Sequence, residues 1–437
     1  MGSSEKTENG LLLRNGRILD PANGVDRKAD LLIQEGLVSR VAAEIEAPSG
    51  CETADVTGSL VVPGLIDAHV HLRDPGFPDK ETLETGCRVA AAGGFTSVAC
   101  MPNTDPPADS PQIIREIVEK ALSADARVYP VACATRNLNG KEITDTEALL
   151  EAGAVGFSDD GLPIPEPPMR ELLKRSEALG FFVCPHCELL ELTRGGHMHE
   201  GAVSRELGIE GMPSEGEAGM VERDINLVRE VGGRLHILHV SARRSVDLVR
   251  DAKREGLSVT CEAMPHHFTL TDEDVRVYGT AAKMSPPLRS ADDREAVLEG
   301  LADGTVDMIA TDHAPHTSQE KLRAFSEAPN GILGLETAVG LVFKMLIQPG
   351  VLSLSDAISK LTVAPARLLG SSDATLSLGV RADVTVIDPS KTWTVDALQS
   401  RSKSRNTPFH GWSLKGQVLY TILGGRITYE GESQLDS

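Results

Sequence analysis

Residues 64–71 read GLIDAHVH, a short apolar run with Asp67, His69 and His71 at every second position. Side chains two apart on a strand point the same way, so this spacing predicts Asp67, His69 and His71 on one face and Ile66, Ala68 and Val70 on the other. Seven more runs follow: FTSVACM (95–101), ARVYPVAC (126–133), AVGFSDD (154–160), FFVCPHC (181–187), RLHILHVS (234–241), LSVTCEAMPHH (257–267) and VDMIATDHAPH (306–316). Between them lie stretches such as SPQIIREIVEKAL, PMRELLKRSEALG and RRSVDLVRDAKREG, whose apolar residues recur at three and four. Eight strand–helix units in series predict an α/β protein built on a TIM-type (β/α)8 barrel over residues 63–370.

Both flanks are strand-like: LLLRNGRILD and DLLIQEGLVSRVA precede the barrel, ADVTVIDPS and GQVLYTILGGRITYEGE follow it. Segments 1–62 and 371–437 are expected to join into one small β-sandwich domain formed by both termini. A net charge of −21 over 437 residues repels phosphate backbones and anionic surfaces, so neither nucleic acid nor membrane is an expected partner. No apolar run approaches the about 20 residues of a membrane helix. MGSSEKTENG also lacks the basic start and apolar stretch of a signal peptide, which points to the cytoplasm. Seven cysteines, mostly inside apolar runs, fit reduced buried thiols better than a disulfide framework.

Chemistry in such a barrel sits at the C-terminal strand ends. The first run ends on His69 and His71, the fourth on Asp159 and Asp160, the fifth on His186, the sixth on His239 and the eighth on Asp312 and His313. Any one of these could be a core histidine or a helix-capping aspartate. Their convergence on one mouth is better explained as a metal centre, and neutral imidazole with carboxylate suits zinc. Cys184-Pro185-His186-Cys187 forms a C-x-x-C, but no second pair completes a zinc clamp, and a barrel strand end is not a thioredoxin-like context. His186 is therefore the expected functional group, with the two cysteines as packing. His236, at an odd separation from His239, is expected to face the helix layer. His197 and His199 form a second H-x-H in a glycine-rich loop with no strand to aim them. His266 and His267 suit supporting or structural places, and His410 lies in the tail.

Taken together, DAHVHLRDPG, MPNT, GFSDDG, ILHVS and IATDHAPH resemble the dihydroorotases of the class I type, in the amidohydrolase superfamily. The similarity extends from about residue 10 to 430, through RNGRILDP at one end and KSRNTPFHGW at the other. It implies a distorted barrel with a β-sandwich and a zinc centre of one or two ions per chain, two favoured. It further implies reversible cyclisation of N-carbamoyl-L-aspartate to L-dihydroorotate in de novo pyrimidine biosynthesis. By position, His69 and His71 would hold one zinc, His186 and His239 the other, and Asp159 would bridge them. Asp312 would approach the metal and shuttle protons. Arg73, Asn103 and His316 would bind the substrate carboxylate, and Gly331 would offer a backbone contact. Ser285 stands at a substrate-contacting position where the family usually has Asn, and Leu189 where Asp is common. Beside the small-molecule substrate, the partners considered are a second copy in a homodimer and aspartate carbamoyltransferase.

The nearest alternative is another cyclic amidohydrolase, a dihydropyrimidinase or allantoinase, whose metals are bridged by a carbamylated lysine at the end of strand four. AVGFSDDG has no lysine. A non-catalytic scaffold for aspartate carbamoyltransferase would have lost metal ligands, and here all six are kept.

Overall fold

The computed structural model describes residues 10–431. The outermost parts of both terminal segments, with most of the stretch read against a signal peptide, lie outside the described residues.

Eight parallel strands stand side by side in chain order: Leu65–Val70, Phe95–Cys100, Arg127–Cys133, Gly156–Ser158, Phe182–Val183, Leu235–Ile237, Val259–Ala263 and Met308–Ile309. The first and last meet only at the mouth. There Val70 bridges His313, the His71 amide donates to His313 O at 2.9 Å, and the Asp312 amide donates to His69 O at 3.0 Å. The backbone that closes the barrel is thus the backbone that carries the predicted site. Ile66, Ala68, Ala99, Met101, Val131, Phe182, Cys184 and Met308 share one buried cluster, joined by Ala366, Leu368 and Leu369 of the helix Val363–Leu369. The alternate residues, such as Val98, Phe181, Val183 and Ile237, pack in the larger cluster with Ile114, Leu172, Val221 and Val246 of the helix layer.

Several strands are shorter than their apolar runs. The fourth stops at Ser158 and the fifth at Val183, so Asp159, Asp160 and His186 sit in loops just past the sheet. His266 and His267 lie on the short helix Pro265–Thr269. Six of the seven cysteines are buried and all are free. Burial pushes the Cys184 and Cys187 thiols well above their ordinary range, which removes thiolate chemistry from CPHC.

The second sheet draws on both ends of the chain. Leu11–Asp20, Val25–Gln34, Leu37–Ala42, Glu52–Asp55 and Leu60–Pro63 combine with Val384–Thr394, Ser413–Leu423 and Arg426–Glu430, and the join is antiparallel with Pro63 opposite Val384. The sheet folds back on itself, since the Val38 amide donates to Val380 O and the Ala382 amide to Gly36 O. At Gly36, φ is +76° and a Cβ would lie 2.8 Å from Gly424 O, so the approach of the two hairpins requires glycine there. Its interior holds Leu11, Leu13, Leu31, Ile33, Val61, Val384, Val386 and Ile422. Thr385 and Thr421 anchor it to the barrel by donating to Gly94 O and Ala91 O, both at 2.6 Å. No helix of the described residues is long and apolar enough to cross a membrane.

Candidate active site

The two imidazoles at the end of the first strand are each aimed by a partner on the far side. His69, fully buried, places Nδ1 2.7 Å from Glu262 Oε1, and His71 places Nδ1 2.9 Å from Asn103 Oδ1. An acceptor at Nδ1 holds the proton there and leaves the Nε2 lone pair free on the other side. His71 Nε2 faces Asp312 Oδ1 at 2.9 Å and Asp160 Oδ2 at 3.4 Å. His69 Nε2 has no hydrogen-bond partner despite its burial, with Asp312 and Asp160 at 3.6 and 3.8 Å. Across the mouth, His186 Nδ1 and His239 Nε2 stand 3.0 Å apart, at 3.6 and 3.7 Å from Asp160 Oδ1.

These atoms form two groups, His69–His71–Asp160 and Asp160–His186–His239, with the candidate ligand atoms of each within 4.8 Å of one another. One carboxylate serves both, Oδ2 toward the first pair and Oδ1 toward the second. His69 Nε2 has no protein partner, the His186 and His239 nitrogens face each other, and one carboxylate is shared between the two pairs. A cation would satisfy all of them at once, and a nitrogen–oxygen donor set of this kind suits zinc.

The shared residue is Asp160, which corrects the expectation for Asp159. Asp159 turns away and accepts hydrogen bonds from the Thr135 amide at 2.9 Å and from the Thr135 hydroxyl. Strand alternation could not have separated the two, because the strand ends at Ser158 and each aspartate goes where its partners are. For Asp160 that partner is Asn103, whose Nδ2 donates to the Asp160 carbonyl at 3.1 Å.

His236 is a second correction. It faces Glu262 rather than the helix layer: Nε2 lies 3.2 Å from Glu262 Oε2, and Nδ1 lies 2.8 Å from Thr260 Oγ1. Counting parity from His236 to His239 fails because the strand stops at Ile237 and His239 has φ +32°. Glu262 was not anticipated at all. Burial opposes its charge, but His69 and His236 outweigh that and hold its carboxyl at about 2. Its one sequence signal is an acidic residue inside the apolar strand run VTCEA.

Three residues of the mouth have left-handed backbone: Arg73 (φ +58°), His239 (+32°) and Asp312 (+47°). Non-glycine residues persist there only when their surroundings over-determine them. Arg73 donates from Nε to Pro315 O at 3.2 Å, and its Nη2 lies 3.2 Å from His316 Nε2. Burial lowers its pKa to about 10, against the pull of Asp312 and Asp160, so it is charged at neutral pH. Burial, then Arg73, Lys80 and Lys321, push His316 down to about 2, which makes it a neutral ring. That ring donates from Nε2 to Asn330 O at 2.8 Å and takes Lys80 Nζ at Nδ1, 3.3 Å away.

The remaining predicted contacts are arranged less directly. The amide of Asn103 is engaged with His71 and Asp160. Gly331 packs against His316, and both its backbone groups are used, N–H on Lys283 O and C=O by Lys321 and Asn406. Ser285 is half-buried in the same segment as Pro286, whose carbonyl takes His267 Nε2 at 3.0 Å. His199 lies on a two-residue strand outside both ligand groups, and His410 is exposed.

An eight-stranded parallel barrel with imidazoles and carboxylates gathered at its C-terminal mouth, beside the half-buried Arg73 guanidinium, defines a metal-dependent hydrolase of the amidohydrolase type. Solved structures of similar fold include the L-hydantoinase (dihydropyrimidinase) from Arthrobacter aurescens, with TM-score 0.85, 27% identity and 97% of each chain covered. They also include the dihydropyrimidinase from Brevibacillus agri NCHU1002, with TM-score 0.83 and 23% identity over 96% of this chain and 94% of that one, a likeness of fold. In sequence, the dihydroorotase of Pelotomaculum thermopropionicum is 51% identical over 421 residues, covering 96% of this chain and 98% of its own. That of Syntrophotalea carbinolica is 49% identical over 421 residues, covering 96% and 99%. The family model described as Dihydro-orotase-like matches residues 58–245. The chain belongs to the dihydroorotase family.

Proposed function

We propose that this enzyme, a hydrolase of cyclic amides, is a dihydroorotase of the class I type that interconverts N-carbamoyl-L-aspartate and L-dihydroorotate in pyrimidine biosynthesis. The observation that carries the reading is the Arg73 guanidinium, charged and partly buried beside the imidazole–carboxylate centre. Dihydroorotate has a ring carboxylate that hydantoin, dihydrouracil and allantoin lack, so only a dihydroorotase needs a cation there. Asp160, where the lysine-bridged relatives place a carbamylated lysine, supports the same choice. The class I assignment rests on DAHVHLRDPG and GFSDDG. A cytoplasmic location, a homodimer and association with aspartate carbamoyltransferase belong to the proposal through the resemblance alone.

His69, His71 and Asp160 would hold one zinc ion and Asp160, His186 and His239 a second, with Asp312 beside the first. Bound zinc supplies Lewis-acid polarisation of a carbonyl and lowers the pKa of water to about 7. The chain's own groups do the rest. Arg73 offers a planar fork to the substrate carboxylate, and His316, 3.2 Å from that guanidinium, walls the same pocket. This fixes the ring with its amide carbonyl toward the imidazoles. Burial works against the Asp312 charge, but His69 and His71 outweigh it and hold the carboxyl below its ordinary range, so it is ionised. Asp312 takes the proton of the attacking water and passes it to the leaving ring nitrogen. In the closing direction it takes that proton back from the carbamoyl nitrogen as the C–N bond forms and returns it to the departing oxygen, which leaves as water.

The test is turnover by purified protein of dihydroorotate, dihydrouracil and hydantoin, with metal analysis before and after chelation. We expect zinc in the protein, chelator-sensitive turnover of dihydroorotate, and a preference of about 10⁴-fold or more over the carboxylate-free rings. Faster hydrolysis of hydantoin or dihydrouracil overturns the reading.

A further inference from the structure

The motif KSRNTPFHGW lies in the C-terminal segment, in the crossing between the sandwich strands Val384–Thr394 and Ser413–Leu423. Residues 402–406 of that crossing do not stay with the sandwich. Asn406, 5% exposed, reaches the barrel mouth with its whole amide. Nδ2 donates to Ala314 O at 2.9 Å and to Gly331 O at 3.0 Å, and Oδ1 accepts from the His316 amide at 3.0 Å. Its backbone carbonyl takes the Leu333 amide at 2.9 Å. One side chain therefore joins the loop that follows Asp312 to the loop carrying Gly331.

The same crossing grips the other side of the pocket. Ser404 Oγ donates to Lys80 O at 2.8 Å, and the buried Glu81 carboxylate accepts from the Ser402 hydroxyl and the Lys403 amide. His316 in turn touches both Lys80 and Arg73, and the Arg73 Nε is held by Pro315 O between the two residues that Asn406 fixes. Every polar capacity of the Asn406 side chain but one lone pair is spent on the main chain of Ala314, His316 and Gly331, around the His316 ring, and none on the sandwich.

We infer that residues 402–406 form a strap by which the terminal sheet sets the substrate-carboxylate pocket, with Asn406 as its positioning residue. The inference rests on the reading of Arg73 and His316 as that pocket. Asn406 touches neither metal-directed imidazole nor Asp312 side chain, so its loss acts on binding common to ground and transition states, which moves KM and leaves kcat.

The experiment is steady-state kinetics on the full-length, metal-loaded enzyme. Asn406→Ala should raise KM for dihydroorotate at least about tenfold, with kcat within about threefold and metal content unchanged. A purely structural role would instead lower melting temperature and active fraction, which depresses apparent kcat and leaves KM alone, and that result overturns the inference. Should Asn406→Ala not fold, Asn406→Asp keeps the volume and the acceptor for the His316 amide but loses both donations; an unchanged KM in it likewise overturns the strap. Failure of the unmutated enzyme to turn over dihydroorotate removes the substrate reading and the inference with it, an outcome separate from either mutant result.

Discussion

Asp159 and Asp160 are adjacent, chemically identical and both buried, yet their surroundings give them different work. Asp160→Asn should lower metal content at both halves of the centre, because its two oxygens face opposite imidazole pairs. Asp159→Asn should keep the metal and cost about 1–3 kcal/mol of stability, the usual effect of weakening hydrogen bonds to a buried charge. Metal analysis and denaturant unfolding of the two variants separate the roles; the reverse pattern would restore Asp159 as the bridge. Asp312→Asn should fold and bind metal but lose about 10²–10⁴-fold in kcat in both directions, since an amide cannot accept the proton. Wild-type rates in that variant would point to another base.

At the scale of elements, the turn after the sixth strand decides whether His239 faces His186. Its left-handed φ is held from behind. Glu217, on the helix Glu215–Val231, accepts from the amides of Ser241 at 2.9 Å and Ala242 at 3.0 Å, and Arg289 pairs with it at 3.2 Å. Arg289 also donates to Met212 O at 3.2 Å, tying in the short strand Gly211–Met212 that precedes that helix. Burial raises the cost of the Glu217 charge, but Arg289 and the Ser241 contacts outweigh it and bring the carboxyl from 4.5 to about 2. The folded pKa is depressed, so the unfolded chain binds the proton first. The pair's contribution is complete above pH about 4.5 and is lost as pH falls toward 2. Glu217→Gln leaves Arg289 buried without its charge partner and should destabilise by about 3–5 kcal/mol at pH 7, with a flatter stability profile between pH 5 and 3. Urea unfolding across that range checks it, and parallel profiles for the two proteins would contradict it.

For the molecule as a whole, the metal centre is also a fold element. The barrel closes at the mouth through His69, His71, Asp312 and His313, and the same stretch gathers buried carboxylates and orphaned imidazole nitrogens that water does not reach. Metal that binds only the folded chain stabilises it by RT ln(1 + [L]/Kd), about 2.7 kcal/mol at a hundredfold excess over Kd. The zinc-loaded protein should therefore melt at a higher temperature than the chelated one, and re-addition of zinc should restore the difference. Equal melting curves would show that the gathered groups are satisfied without an ion.

What the sequence determined by itself is whatever depends on local periodicity. Eight apolar runs separated by helical patterns specify the barrel, strand-like ends of both segments specify the second sheet, and imidazoles at run ends mark the mouth. The assembled sheet follows from Pro63 pairing with Val384, but each strand was legible alone. Tertiary structure decided whatever lies beyond a strand end, where alternation has no authority. It chose Asp160 over Asp159 through Thr135 and Asn103, turned His236 inward to Glu262, and brought Asn406 across ninety positions of chain to the His316 amide. Those choices are made by hydrogen bonds between segments distant in sequence. A buried carboxylate or amide goes where its donors are, and nothing in its own neighbourhood of chain records their place.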